Sequence, residues 1–337
     1  MNDIRYLTDH YDEKIKQINE LAAPLNFVFI TDMHHGGNRF LHRIGDMDEY
    51  EDGVNHIESI RYILDRCPGI SCVINGGDVG NEYDNIPEKA RETNFQIMDA
   101  LNNLPVPVHS VIGNHDDMTG CRTCGGGDNT ETGFSPDEMH ELFMKYNPTP
   151  ENYYYVDFEE QNYRFVFLNT SDKPYHKLPN GQYPYGWRLE ISDAQAVWFE
   201  KEALATDKNI IIFSHSPIHN EGLVGTGGEG PGEIRTHDDL LNGPRIYDKI
   251  KRTPNVVACV AGHVHFDNLR YDDGVTVVTT LCSLVQEWTT LSPKRKVGTV
   301  TETAFDVFSI KGDCMYMTRF GAGRDREAYL PRVVEKG

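Results

Sequence analysis

Six short apolar runs, largely unalternating, constrain this chain more than any other feature. They are LNFVFIT (25–31), SCVING (71–76), VPVHSVIG (106–113), YRFVFLNT (163–170), NIIIFSHS (209–216) and NVVACVAG (255–262). Their Val, Ile and Phe side chains fall on both faces of an extended backbone, so each strand must be covered on both sides. Amphipathic stretches between the runs predict helices at about 52–66, 87–103, 136–146, 192–205 and 238–252. Ser192, followed by Asp193, is the expected N-cap of the fourth. Beyond residue 265 the pattern changes to strands at 268–273, 275–281, 303–310 and 314–320. Turns such as Asp272-Asp273-Gly274 and Lys311-Gly312-Asp313 join them as hairpins. Mixed α/β structure followed by a β-rich tail is best buried as two packed sheets with helices outside.

Composition removes several function classes. The 337 residues carry 52 acidic and 32 basic side chains, a formal net charge of -20. Such a field repels polyanions and argues against stable binding of nucleic acid or anionic lipid. No apolar run approaches the roughly 20 residues that a bilayer span requires. The first twenty residues, MNDIRYLTDHYDEKIKQINE, are charged and lack a signal-peptide core, so a cytoplasmic setting is expected. The seven cysteines, at 67, 72, 121, 124, 259, 282 and 314, are odd in number and scattered, unlike a disulfide framework. Cys72, Cys259 and Cys282 read as small hydrophobes in strand-like runs. Cys121 and Cys124 form a lone CxxC in a Gly-rich loop, without the second pair that a thiolate zinc site needs.

Five polar clusters carry the chemistry, and four fall directly at the ends of predicted strands. They are Asp32-Met33-His34, Gly76-Gly77-Asp78, Gly113-Asn114-His115-Asp116, Ser214-His215-Ser216-Pro217 and Gly262-His263-Val264-His265. In a mostly parallel sheet the carboxyl ends of the strands share one edge, so clusters far apart in sequence converge there. Asp-x-His and His-x-His suit metal binding, because residues i and i+2 of an extended segment point the same way. Carboxylate, amide and imidazole donors favour Mn, Fe or Zn over Cu(I), with Mn preferred here. Seven such side chains are too many for one ion and suit two, which a shared carboxylate holds about 3.5–4 Å apart.

The order D-x-H, GGD, GNHD, H, GHxH resembles the calcineurin-like metallophosphoesterase family over roughly residues 25–270. The segment ISDAQAVWFEKEAL also resembles the helix preceding the fourth motif in many members. The resemblance implies an α/β fold: a four-layer αββα sandwich of two mixed β-sheets flanked by helices. Residues 1–337 are then one metallophosphoesterase domain, with segment 268–320 completing the second sheet. It also implies that Asp32, His34 and His265 bind one metal, that Asn114, His215 and His263 bind the other, and that Asp78 bridges them. A metal-bridging hydroxide would attack phosphorus, with His115 stabilising the transition state or protonating the leaving group. Asp116 is placed to orient the His115 ring. Tyr83 is out of register with the tyrosine ligand of purple acid phosphatases, so no iron–tyrosinate centre is expected.

The expected substrate is a small phosphate monoester or diester, nucleotides included. A nuclease of the same fold and an inactive metal-binding interaction module are the alternatives. Loops 117–150, 171–190 and 219–236 are expected to shape the pocket. His35, Arg39, Arg188 and His219 are the candidate substrate contacts, with Arg235 nearby, and Tyr183, Tyr185 and Trp187 could stack on a base. The Gly- and Arg-rich stretch 318–326 lacks the setting of a phosphate loop and reads as a strand end and turn.

Overall fold

The computed structural model describes residues 8–36, 53–80, 87–120, 129–174, 176–183, 186, 188–218, 240–285 and 292–334. Within them, strands form two six-stranded mixed sheets. The first holds β1 (Leu25–Ile30), β2 (Ile70–Asn75) and β3 (Val108–Ser110) in parallel. The second is built on β4 (Tyr154–Phe158), β5 (Tyr163–Leu168), β6 (Asn209–Ser214), β7 (Val256–Ala261), β8 (Asn268–Asp272) and β9 (Val275–Thr279). Its order is β4-β5-β6-β7-β9-β8, with β5, β6, β7 and β9 parallel and the two edge strands antiparallel.

The C-terminal strands do not all complete the second sheet, as the sequence had suggested. Only β8 and β9 do so. β10 (Ala304–Lys311), β11 (Cys314–Gly321) and β12 (Arg326–Tyr329) extend the first sheet antiparallel from β1. The physical reason is the open side of β1: β10 covers it in a register that stacks Phe308 on Phe27, with ring centroids 5.0 Å apart.

Helices close both outer faces. α1 (Thr8–Leu21), α2 (Gly53–Leu64) and α3 (Pro87–Asn102) pack with the first sheet, and α4 (Pro136–Phe143) joins the same core. α5 (Asp193–Trp198) and α6 (Gly243–Arg252) pack on the second. Alternation along β6 shows the layering: Ile211 and Phe213 point to the inter-sheet core, while Ile210 and Ile212 point to α5 and α6. Ser192 caps α5 by accepting from the Gln195 N–H, and the helix then passes into a π-helical turn at Phe199–Ala203. Among the described residues no helix is long and apolar enough to cross a membrane.

Phe27 lies where the sheets meet. Its ring contacts Phe165 edge-on at 5.0 Å and Phe213 at 5.6 Å, besides stacking on Phe308. Phe27→Ala should therefore cost about 3–5 kcal/mol, read as a shift in the urea midpoint. A cost under about 1 kcal/mol would show that the sheets repack across the gap.

Candidate metal centre

The parallel strands of both sheets end at the same end of the sandwich, and the five polar clusters stand there. Asp32 and His34 follow β1, Asp78 follows β2, Asn114 and His115 follow β3, His215 follows β6, and His263 and His265 follow β7. The backbone does not bring them together by the extended i, i+2 geometry expected from the sequence. Asp32, His34, Asp78, His263 and His265 are left-handed, with φ of 54°, 43°, 54°, 67° and 56°. Non-glycine residues avoid this region, and such strain gathers where surrounding structure imposes it. Here a ladder imposes it: Asp32 N–H donates to Gly77 O at 2.9 Å, His34 N–H to Asp78 O at 3.0 Å, and Gly262 N–H to His215 O at 3.0 Å. Close approach also demands glycine. A Cβ at position 113 would lie 2.1 Å from Asp78 Oδ1, and one at position 262 would lie 2.1 Å from Thr31 Oγ1.

The donor atoms form two subsets that meet at Asp78. In the first, His265 Nε2 lies 3.2 Å from Asp32 Oδ1 and 3.3 Å from His34 Nε2. In the second, His215 Nε2 lies 3.1 Å from Asp78 Oδ2, 3.2 Å from Asn114 Oδ1 and 3.2 Å from His263 Nδ1. Asp78 Oδ2 is also 3.7 Å from His34 Nε2 of the first subset. All seven expected ligands are thus in one cluster, and all but the half-buried His263 are buried. His215 Nδ1 donates to the Gly76 carbonyl at 2.8 Å, which turns Nε2 towards the cluster.

Electrostatics show what the cluster can attract. Burial drives His34 well down and His263 down to about 3, the charge on His215 adding to the latter. Burial also works against a charge on His215 and His265, but Asp78 and Asp32 raise His215 to about 9. Cys282 and Asp32 raise His265 well above the usual histidine range. Imidazolium charge in turn holds Asp32 and Asp78 below the carboxylate range, against burial. Converging nitrogen and oxygen lone pairs repel unless positive charge sits among them. Divalent cations bound among the donors would supply it. The donors, nitrogen and oxygen without thiolate, fit two such ions.

Asp116 does not orient His115. Its Oδ2 accepts the N–H groups of Gly113 at 2.7 Å and Asp78 at 3.0 Å, and its Oδ1 accepts that of Val79 at 2.8 Å. Successive side chains diverge, and this one turns back to clamp the GGD loop onto the GNHD loop. Burial, with the charge of Asp78, pushes its carboxyl up to about 7 against the pull of those amides. His115 is half-buried; its N–H donates to Asp78 Oδ1 at 2.9 Å, and its ring meets that of His34 edge-on at 5.1 Å.

The substrate contacts fare differently. His35 is 3% exposed and its Nε2 bonds Gln96 Oε1 at 2.8 Å, so it acts as a strut between the Asp32 loop and α3. Arg188 pairs with Glu190 at 3.0 Å. Tyr183 is buried, its N–H held by Asn129 Oδ1 at 2.9 Å, and it packs in the core rather than offering a face to a base. Arg39, His219, Arg235, Tyr185, Trp187, Cys121 and Cys124 lie outside the described residues. Cys282 sits past the end of β9, beside His265, and not in a strand.

Two packed sheets with an Asp, Asn and His cluster at their shared carboxyl end define a candidate metal centre. The sequence profile described as calcineurin-like phosphoesterase matches residues 25–267, more than half of the chain. The chain belongs to that family. Among solved structures, a dimetal phosphatase from Danio rerio superposes with a TM-score of 0.64 at 17% identity, covering 91% of this chain and 99% of that one. GAP50, the anchor in the inner membrane complex of Plasmodium, gives 0.47 at 14% identity over 93% and 90%. The sulfate thiohydrolase SoxB of Thermus thermophilus gives 0.46 at 11% over 92% and 57%. The first of these shows the shared fold. No curated protein matches the sequence significantly.

Proposed function

We propose that the protein hydrolyses phosphomonoester or phosphodiester bonds in a small substrate, with nucleotides among the candidates, using two divalent cations, manganese favoured. The observation that carries this is the pair of donor subsets meeting at Asp78, with His115 half-exposed beside them. Asp32, His34 and His265 would hold one cation, Asn114, His215 and His263 the other, and Asp78 both. When bound, the cations supply positive charge for the phosphate oxygens and acidify the attacking water. The protein's own part is orientation and proton transfer. Thr31 Oγ1 and the His263 N–H both donate to Asp32 Oδ2, at 2.7 and 2.9 Å, and leave Oδ1 facing His265. The His115 ring, its backbone anchored on Asp78, would carry the proton to the leaving oxygen. The net charge of -20 supports a small substrate over a nucleic acid. Free thiols at Cys67, Cys72, Cys259, Cys282 and Cys314 fit a reducing, cytoplasmic setting.

Metal analysis after gentle purification should find close to two transition-metal ions per chain; a protein that stays metal-free in excess manganese would sink the proposal. The manganese-loaded protein should then turn over an aryl phosphomonoester, an aryl phosphodiester or a cyclic nucleotide. Preference for single-stranded DNA would make it a nuclease. Silence on every substrate, with both metals bound, would make it an interaction module.

A further inference from the structure

We propose that Lys173 is a positioning residue that couples the segment holding Lys173 and Gly186 to the turn carrying His115. Lys173 and Asp117 form an ion pair of 2.6 Å with both side chains fully buried. Around the same Nζ stand Thr119 Oγ1 at 3.0 Å and the Gly186 carbonyl. An ammonium donates three bonds, and these three acceptors come from two segments far apart in sequence. Asp117 is engaged on its other oxygen as well, accepting the Thr119 N–H at 2.8 Å and hydroxyl at 2.7 Å. A buried ion pair adds little stability over an apolar pair, but its directional bonds admit one register.

That register reaches His115. Asp117 is two residues further along the same turn, which closes with Met118 N–H donating to His115 O at 3.2 Å and Met118 left-handed at φ 56°. Asn129 braces the two segments again: its Nδ2 donates to Thr119 O at 2.6 Å and to Tyr183 O at 3.1 Å. Segment and turn are thereby braced against each other, so loosening one should displace the imidazole at the other. The effect on turnover rests on His115 acting as proposed above; the mechanical coupling does not.

The test uses two full-length variants loaded with manganese. Lys173→Met/Asp117→Asn removes both charges at nearly constant volume, and Thr119→Val keeps both charges but removes one acceptor. The double variant should hold the parental manganese content while amides of 115–119 and of 171–190 exchange together about ten-fold faster. Its kcat on an alkyl phosphate such as glycerol phosphate should fall about ten-fold with KM changed less than about three-fold, because cation contacts govern binding and His115 governs departure of the alkoxide. Thr119→Val should move the same readouts by about three-fold, and it decides the matter if the double variant does not fold. Faster exchange confined to 171–190, or parental kcat in a folded variant, would show Lys173 to be a simple core pin and overturn the proposal. If the parent holds manganese yet hydrolyses nothing, the functional reading fails by itself. Joint exchange of the two segments then supports the coupling, and exchange confined to one overturns it.

Discussion

His115→Ala is expected to keep two metal ions per chain while kcat falls about 10²–10⁴-fold, the range for loss of a general acid. The reasoning starts from which atom holds what. His115 meets Asp78 through its backbone N–H, a bond that alanine retains, so the carboxylate shared by both donor subsets keeps its support. Only the ring is lost, and the ring is the part that remains half-exposed at the cluster. A role in protonating the leaving oxygen makes a further demand. The loss should be large for an alkyl phosphate, whose alkoxide leaves poorly, and small for p-nitrophenyl phosphate, whose phenolate needs little help. The ring nitrogen also lies within 4.8 Å of donor atoms of His34 and Asp78. Metal content falling to one ion in the variant would therefore reassign His115 as a ligand. Equal losses on alkyl and aryl esters would remove the proton-transfer role.

Much of this site is legible in the sequence, because each parallel strand is an apolar run that stops at its ligands. Asp32, Asp78, His215 and His263 could be placed at one end of the fold before any coordinates, from strand polarity alone. The conformation that aims them could not. Periodicity carries no information about a left-handed Asp or His, and the ladder that enforces it joins residues from different strands. Asp116 misled for a related reason. Its neighbour in sequence is His115, but its partners are three amides gathered by the loop closure, two of them just past the end of β2. Lys173 and Asp117 carry no signal in the sequence, because nothing local marks them as buried. Cys282 read as a core hydrophobe although it flanks His265. α1 was missed behind its charges, with only Tyr11, Ile15 and Ile18 turned to the core. β12 was hidden as a short edge strand after a Gly- and Arg-rich turn.

Arg319→Met should destabilise the fold by about 3–5 kcal/mol, the cost of leaving buried charge without its partner. Arg319 is almost fully buried and is the cross-strand partner of Asp306 between β10 and β11. Its guanidinium grips Asp306 through Nε and Nη2, each at 2.8 Å, and Asp267 through Nη2 at 2.6 Å and Nη1 at 3.0 Å. Two forked pairs on one side chain are the strongest ionic geometry available to a protein. They also join the two sheets, since Asp306 belongs to the first and Asp267 follows His265 out of the second. Arg326 adds a bond to Asp306 at 2.9 Å, so the variant retains part of the cluster and should still fold. Burial works against ionisation of Asp306, yet Arg319 and then Arg326 outweigh it and hold its pKa below the ordinary value. A carboxyl depressed in the folded state contributes stability above its unfolded pKa of about 3.9 and loses it as pH falls through the folded value. The parent should therefore weaken steeply below about pH 4, and Arg319→Met should weaken less steeply from a lower plateau. Urea midpoints at pH 7 and pH 3.5 measure both, and equal midpoints at pH 7 would show that the cluster adds nothing. Loosening of Asp267 should also reach the metal: the variant should give up manganese to a chelator faster than the parent, because the anchor of the His263–His265 loop has gone.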